Sequence, residues 1–134
     1  MHTHIIVAAA VIERDGAFLV TRRQHGVHLA GLWEFPGGKC EAGETHAECL
    51  VRELREELGV DAAIGPEILA TSHDYPDRHV ELHFLRGELR GEPVPQQAQE
   101  MRWVRRTELS QLEFPAADAA LIDRLQRSAD AAPG

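Results

Sequence analysis

One segment of this sequence, Gly38–Val60, constrains the fold most, because it places three glutamates on one turn of a predicted helix. These residues are Glu53, Glu56 and Glu57. Like charges three and four residues apart lie about 5–6 Å from one another at Cβ and destabilise a helix. At an effective dielectric near 20, each close pair costs on the order of 2–3 kcal/mol. A divalent cation would offset that cost, so the segment predicts a metal site.

The boundaries of this helix are marked by capping residues. Thr45 and Glu48 form a T-x-x-E capping box, and Gly59 is the glycine expected just after the last turn. The apolar residues between them have the spacing of one buried face: Ala47, Leu50, Val51, Leu54 and Leu58. The three glutamates fan out along one edge of that stripe, so we expect them at the rim between core and solvent.

Length and charge limit the class of protein. With 134 residues, the chain is expected to form a single domain over residues 1–134. The net charge of −8 argues against a nucleic-acid polymer or an anionic membrane surface as a partner. The two cysteines, Cys40 and Cys49, form no disulfide framework, which favours a reducing, cytoplasmic setting. The apolar run Ile5–Ile12 has no basic residues before it and is predicted to be a buried strand, neither a signal peptide nor a membrane span.

The other elements are predicted from apolar runs and turn residues. The predicted strands are Ile5–Glu13, Ala17–Arg23, Ile64–Asp74, His79–Glu88 and Met101–Val104. Asp-Gly and Pro-Asp pairs predict the turns within the two hairpins. Loops are expected over Gln24–Gly31, at Pro36–Gly38 and over Arg90–Gln99, a helical turn over Thr107–Leu112, and a last helix opening at Phe114. This order predicts an α/β protein with a mixed sheet and helices on both sides.

The eight histidines do not have zinc-ligand spacing with the cysteines. His79 and His83 share one face of a predicted strand, and we interpret them as a pair on the surface.

The glutamate segment resembles the Nudix box, G-x5-E-x7-R-E-U-x-E-E-x-G-U, where U is a bulky aliphatic residue. All seven fixed letters and both class letters match over 23 residues: Gly38, Glu44, Arg52, Glu53, Leu54, Glu56, Glu57, Gly59 and Val60. The segments GLWEFPGGK, YPDRH and FPAAD resemble the MutT branch of this family, the 8-oxo-dGTP diphosphatases. The resemblance covers nearly the whole chain.

This resemblance implies a Nudix α/β/α sandwich and an enzyme that converts a nucleoside triphosphate to the monophosphate and pyrophosphate. It implies Mg2+ as cofactor, with Mn2+ as a substitute, and hard oxygen ligands suit both ions. The metal ligands implied are Glu53, Glu56, Glu57 and the backbone carbonyl of Gly37. Glu53 would orient or deprotonate the attacking water, and Arg52 and Glu44 complete the implied catalytic set. Arg52 lies one turn before Glu56 and is expected to hold the carboxylates in place.

Further residues are implied as substrate contacts. Lys39, the only lysine in the chain, follows the two glycines and would contact a phosphate as a point charge. Arg23, Glu34, Arg78 and Asp118 are expected at the substrate, as is Phe35, although its residue type favours the core over stacking on a base. The partner is therefore a small nucleotide, and the chain is expected to be a monomer or a weak dimer.

The sequence departs from the branch at two positions. MutT-type enzymes carry a further metal-binding Glu six residues before a Trp, and here Gln97 stands six residues before Trp103. Glu100 is close enough to act in its place. The second departure is Asp118, which replaces an Asn that reads the oxidised purine. An ionised carboxylate suits the amino group of cytosine, whereas a protonated one could still read 8-oxoguanine.

We therefore expect a MutT-like 8-oxo-dGTP diphosphatase, with a CTP or (methyl)dCTP pyrophosphohydrolase as the alternative. Relatives in the CTP branch share the AGLWEF and VRELREELG segments and carry Asp at the position of Asp118. An alternative of another class is a catalytically idle Nudix module that only binds a nucleotide. Pro76, sixteen residues after the box, is the one feature that favours an ADP-ribose hydrolase.

Overall fold

The fold is described from a computed structural model of residues 3–24 and 30–131, with side chains up to Arg127. Most of the predicted loop over residues 24–31 lies outside the described residues. No helix within these ranges is long and apolar enough to cross a membrane.

The described residues form seven strands and two α-helices. The strands are β1 (Thr3–Arg14), β2 (Ala17–Arg22), β3 (Trp33–Glu34), β4 (Gly37–Lys39), β5 (Ala62–Tyr75), β6 (Arg78–Leu89) and β7 (Met101–Arg105). The helices are α1 (His46–Leu58) and α2 (Ala119–Ala131), and shorter 3₁₀ helices cover Arg106–Gln111 and Ala116–Asp118.

Strand β1 is central, as its continuous apolar run predicts. The main sheet has the order β3-β2-β1-β6-β5, with β4 pairing to β1 and β7 pairing to β2. The β1–β6 pairing is parallel and the other pairings are antiparallel, so the sheet is mixed. The hairpin turns at Asp15-Gly16 and Pro76-Asp77 are confirmed, and Asp15 and Gly16 both have positive φ, as a tight two-residue turn requires.

Each face of the sheet carries its own hydrophobic cluster. Ala8, Ala10 and Ile12 of β1 face α1, which buries Cys49, Leu50, Leu54 and Leu58 against them. The alternate residues of β1, Ala9 and Val11, face the cluster that contains Phe18, Phe84, Leu121 and Leu125. Each buried leucine contributes roughly 2 kcal/mol. The α/β/α sandwich is therefore confirmed.

The predicted loop at Pro36–Gly38 is wrong, because Gly37–Lys39 forms strand β4 along β1. A Cβ at Gly37 would clash with the backbone carbonyl oxygen of Ala8 and would come within 2.8 Å of the Ala9 Cα. The glycine is needed for close approach to a neighbouring strand, so the Gly-Gly pair extends the sheet instead of ending an element.

The ends of α1 agree with prediction. The Thr45 side chain accepts from the Glu48 backbone N–H, Glu48 accepts from the Thr45 N–H, and Gly59 ends the helix with φ of 60°. The last helix was predicted to open at Phe114, but α2 begins only at Ala119, after the 3₁₀ helix Ala116–Asp118. Pro115 stands directly before that 3₁₀ helix, a position that its fixed φ suits. The 3₁₀ helix therefore lies between the proline and α2.

Candidate active site

The carboxylate of Glu53 lies directly over the backbone of β4. A Cβ added at Gly38 would come within 2.5 Å of that carboxylate, so any larger residue would force the Glu53 carboxylate to shift. The next segment returns toward α1 through a turn in which the Glu41 N–H donates to Glu44 Oε1 at 2.8 Å. β4, this turn and α1 therefore bring Glu44 and Glu53 to one place.

Arg52 joins the acidic side chains of this region. Its guanidinium donates to both oxygens of Glu44, at 2.7 and 2.9 Å, in the bidentate geometry that suits arginine. It also donates to Glu53 Oε1 at 2.9 Å, to Glu56 Oε2 at 3.3 Å and to the Lys39 carbonyl at 3.1 Å. One cation is thus shared among three carboxylates and the end of β4.

The glutamates of this region, Glu44 before α1 and Glu53 and Glu57 on it, differ in how well their charge is offset. The hydrogen bonds from Arg52 lower the pKa of Glu44 to about 2. Burial raises the pKa of Glu53, and Arg52 opposes that shift. Burial raises the pKa of Glu57 to about 8, with Glu34 and Glu53 adding to the rise and the Gly37 N–H opposing it. Glu57 is therefore the glutamate whose negative charge the protein compensates least.

The donor set of this region suits a hard divalent cation. Glu53, Glu56, Glu57 and the carbonyl of Gly37 offer oxygen ligands alone, which Mg2+ and Mn2+ prefer. Within residues 3–24 and 30–131, the three carboxylates do not bring their oxygens within 4.8 Å of one another. Arg52 contacts Glu53 and Glu56, whereas Glu57 faces a cavity. The separation of the three carboxylates reduces the repulsion among their like charges.

The cavity that Glu57 faces has a volume of about 230 Å3 and opens on the α2 side of the sheet. It brings together eight of the residues predicted from the sequence: Arg23, Glu34, Phe35, Gly37, Lys39, Glu57, Arg78 and Asp118. Tyr75 also lines it and was missed, because one tyrosine before a turn gives no signal of its own in the sequence. Glu44, Arg52, Glu53 and Glu56 lie outside its lining, behind β4.

Acidic groups gather at the inner end of this cavity. Asp118 is only 5% exposed, and burial together with the nearby Glu34 raises its pKa to about 7. Arg23 donates to Glu34 Oε2 at 2.8 Å, yet burial still raises the pKa of Glu34. Asp118 can therefore be neutral or ionised near neutral pH, which changes what it can hydrogen-bond.

Three predicted contacts take different positions around the cavity. Phe35 is 3% exposed and packs on Phe114, with ring centroids 5.5 Å apart, so it belongs to the core as well as to the lining. Arg78 is partly exposed and pairs with Asp77 at 2.9 Å. Lys39 is exposed at the end of β4, where its flexible side chain can reach an anion.

The two auxiliary candidates lie apart from each other. Gln97 lines a second cavity, of about 130 Å3, which shares Arg23, Glu34 and Glu57 with the first. Glu100 pairs with Arg22 at 3.1 Å and lines neither cavity. Gln99, which was missed, lines the second cavity and donates to the Glu57 carbonyl at 3.1 Å. The loop over residues 90–99 therefore closes one side of the glutamate site.

The interpretation of His79 and His83 as a surface pair is wrong for His83. The side chain of His83 is only 14% exposed and hydrogen-bonds Glu67 at 2.7 Å, and its ring lies 3.9 Å from that of His46. His79 pairs with Asp74 instead, at 2.6 Å. The face of β6 that was predicted to meet solvent is covered at His83 by α1 and β5.

Comparison with known proteins agrees with this architecture. The family model for the NUDIX domain matches residues 7–124. The chain is 38% identical over 120 residues to the CTP pyrophosphohydrolase of Escherichia coli (strain K12), covering 89% of each chain. It is 40% identical over 123 residues to the 8-oxo-dGTP diphosphatase of Haemophilus influenzae, covering 90% of each. The solution structure of the E. coli ORF135 protein matches with a TM-score of 0.84 and 35% identity, over 99% of this chain and 96% of that one.

The raised pKa of Glu57 predicts a stability effect that depends on pH. The folded pKa of about 8 exceeds the ordinary 4.5, so ionising Glu57 destabilises the fold increasingly from pH 4.5 and levels off above pH 8. In the presence of a metal chelator, Glu57→Gln should raise the free energy of unfolding by about 1 kcal/mol or more at pH 8 and by much less at pH 5. Denaturant unfolding at both pH values measures this difference.

The matched control is Glu48→Gln, at the exposed N-terminal turn of the same helix. It keeps a side-chain acceptor for the Thr45 N–H but removes a negative charge that favours the helix N-terminus, so it should not raise stability at pH 8. A Glu57→Gln gain that is equal at pH 5 and pH 8 would contradict the raised pKa.

Proposed function

Because the chain belongs to the Nudix family, we propose that it is a Mg2+-dependent nucleoside triphosphate pyrophosphohydrolase that acts on 8-oxo-dGTP. The observation that carries this proposal is one cavity lined both by a metal-competent carboxylate, Glu57, and by a hydrogen-bonding carboxyl, Asp118. A nucleoside triphosphate has the matching polarity, with phosphates at one end and a base at the other. The products are the nucleoside monophosphate and pyrophosphate, and the biological role is sanitation of the nucleotide pool.

Glu53, Glu56, Glu57 and the Gly37 carbonyl would hold the metal in this proposal. Nudix hydrolases generally use a divalent metal, and bound Mg2+ would neutralise phosphate charge and lower the pKa of a coordinated water. Glu53 orients the attacking water and accepts its proton on a carboxylate oxygen. Arg52 supports this role, because it donates to Glu53 Oε1 at 2.9 Å and keeps that carboxylate directed at β4.

The cationic side chains at the cavity suit the phosphates. Lys39 and Arg78 line the cavity within reach of solvent, and phosphoryl transfer depends mainly on charge neutralisation and positioning. Arg23, which also lines the cavity, donates to Glu34 Oε2 at 2.8 Å. Gln97, which lines the neighbouring cavity, would act as an auxiliary neutral ligand.

Asp118 would read the base. When protonated, its carboxyl donates one hydrogen bond and accepts another, which matches O6 and N7–H of 8-oxoguanine. Burial raises the pKa of Asp118 to about 7, so the protonated form is well populated at neutral pH. The donor and acceptor of an Asn at this position would thus be replaced by a neutral carboxylic acid.

A CTP or (methyl)dCTP pyrophosphohydrolase is the second candidate. The ionised form of Asp118 accepts from the amino group of cytosine and offers no donor to O6 of 8-oxoguanine. The 38% identity to a CTP pyrophosphohydrolase supports this candidate as much as the 40% identity to an 8-oxo-dGTP diphosphatase supports hydrolysis of 8-oxo-dGTP. Cytoplasmic location and a monomer or weak dimer belong to both versions of the proposal.

A screen of pyrophosphate release tests the proposal. With Mg2+ present, we expect turnover of 8-oxo-dGTP or of the cytosine nucleotides CTP, dCTP and 5-methyl-dCTP above that of dGTP and ADP-ribose. Glu53→Gln should lower kcat by roughly 10²–10³-fold, because it removes a charge that acts on the reacting atoms. The control is Glu108→Gln, on the 3₁₀ helix Arg106–Gln111, which should retain the wild-type rate.

Two outcomes would contradict the proposal. Binding of a nucleotide without pyrophosphate release from any substrate would identify an idle binding module. Cleavage of ADP-ribose in preference to every triphosphate would identify an ADP-ribose hydrolase.

The titration of Asp118 predicts how base preference changes with pH. Its carboxyl is protonated below about pH 7, so the ratio of kcat/KM for 8-oxo-dGTP to that for CTP should fall about tenfold per pH unit above that value. The ratio cancels pH effects on the shared chemical step. Asp118→Asn should keep the ratio high and independent of pH, because an amide always offers one donor and one acceptor.

The control for this measurement is Asp123→Asn, an exposed residue of α2 that pairs with Arg127. It should reproduce the wild-type pH profile. If wild type and Asp118→Asn gave the same ratio at every pH, Asp118 would not read the base.

A further inference from the structure

A second group of metal-ligating side chains lies outside the glutamate site. His46 is the first residue of α1, Glu67 lies on β5 and His83 on β6. Among the residues that the structure describes, these three form the only group of histidine, cysteine and carboxylate ligand atoms that lie within 4.8 Å of one another. His46 precedes Glu53 by two helical turns, about 10 Å along the axis, so the two groups are separate.

The distances within this group are close to those of a metal site. Glu67 Oε1 lies 2.7 Å from His83 Nδ1 and 3.8 Å from His46 Nδ1. Bonds of about 2.1 Å in tetrahedral geometry separate neighbouring ligand atoms by about 3.4 Å, which lies between these two values. Rotation of the His46 and His83 rings out of their 3.9 Å contact would place one ion among the three atoms.

The backbone of β5 is irregular where it presents Glu67. The pairing of β5 with β6 shifts register on both sides of this residue, between Ile64 and Glu67 and again between Glu67 and Leu69. Bulges re-aim side chains and recur next to functional sites. Here the irregularity directs Glu67 to the two imidazoles on the α1 side of the sheet.

The other ring nitrogen of His83 has the surroundings of a metal-bound histidine. His83 Nε2 is buried and lies 3.2 Å from Glu81 Oε2, without the geometry of a hydrogen bond. Histidines that bind a metal through one nitrogen usually direct the other N–H to a carboxylate, which orients the ring. If an ion replaces the proton on His83 Nδ1, the remaining proton sits on Nε2, facing Glu81.

We propose that His46, Glu67 and His83 form a Zn2+ site, with Glu81 as the positioning residue for His83. Two imidazoles and one carboxylate suit Zn2+, whereas Mg2+ prefers oxygen ligands alone. His46 and Glu67 are 36% and 41% exposed, so an ion can enter and water can complete the coordination. The site joins the first turn of α1 to β5 and β6 and does not depend on the proposed function.

The experiment measures Zn2+ affinity by competition with a chromophoric chelator at millimolar Mg2+. The background is the full chain carrying Glu53→Gln and Glu57→Gln, so that the catalytic glutamates contribute little Zn2+ binding. We expect one Zn2+ per chain and a saturable rise in Tm, because an ion that binds only the folded state stabilises it. Co2+ in place of Zn2+ should give visible absorption bands of a mixed nitrogen and oxygen site.

The variants separate the ligands from the positioning residue. His46→Ala and His83→Gln should each weaken Zn2+ affinity by more than tenfold, and Glu81→Gln should weaken it by about 10–100-fold while keeping the stoichiometry. His46 is partly exposed at the start of α1, so His46→Ala tests the site even if His83→Gln fails to fold. The matched control is His73→Ala, on β5 outside the group, which should bind Zn2+ as the background does.

Two results would overturn the proposal. One is no Zn2+ binding in the background protein, which would leave His83 and Glu67 as a simple hydrogen-bonded pair. The other is Zn2+ binding that His46→Ala leaves unchanged, or that His73→Ala weakens as much as His46→Ala does.

Discussion

The balance of charge around Arg52 is the interaction on which the active-site region depends. Its guanidinium donates hydrogen bonds to Glu44, Glu53, Glu56 and the carbonyl of Lys39. These bonds connect the turn that contains Glu44 with helix α1 and strand β4. Replacing it with lysine would lose the bidentate contact with Glu44, because an ammonium group has no planar pair of donors. Arg52 therefore relieves part of the repulsion among the glutamates of α1. The glutamate whose negative charge remains least compensated is Glu57.

The close approach of strands makes this balance possible. β4 fits against β1 because Gly37 has no Cβ to meet the Ala8 carbonyl, and the Glu53 carboxylate keeps its position over β4 because Gly38 has no Cβ to displace it. One cavity is lined both by Glu57 of α1 and by Asp118. The carboxylates that we propose for the metal and the carboxyl that we propose for the base are thus carried by different elements, α1 and the 3₁₀ helix Ala116–Asp118.

The sequence predicted most of the local structure and much less of the distant pairing. The ends of α1 could be predicted because Thr45, Glu48 and Gly59 act on their own neighbours. Gly37 was misread as part of a loop because its pairing with Ala9 spans a large stretch of chain and leaves no local pattern. His83 was misread for the same reason: strand alternation assigns a face, but burial of that face depends on α1 and β5.

In the candidate site too, local features could be predicted from the sequence and long-range contacts could not. The family motif identified the glutamates, whereas the pKa values near 8 for Glu57 and near 7 for Asp118 arise from burial and from Glu34, which only the fold brings close. Tyr75 and Gln99 line the cavities through long-range packing: the YPDRH segment did not single out Tyr75, and Gln99 had no signal in the sequence. Spacing along the chain predicts charge clusters, but it does not predict which member of a cluster remains uncompensated.

The most direct measurement of the central claim is anomalous diffraction from crystals of this protein soaked in Mn2+, which substitutes for Mg2+ and can be located by its scattering. The account predicts a peak bounded by the carboxylates of Glu53 and Glu57 and the carbonyl oxygen of Gly37. A Mn2+ peak elsewhere, with none at these oxygen atoms under saturating metal, would contradict it.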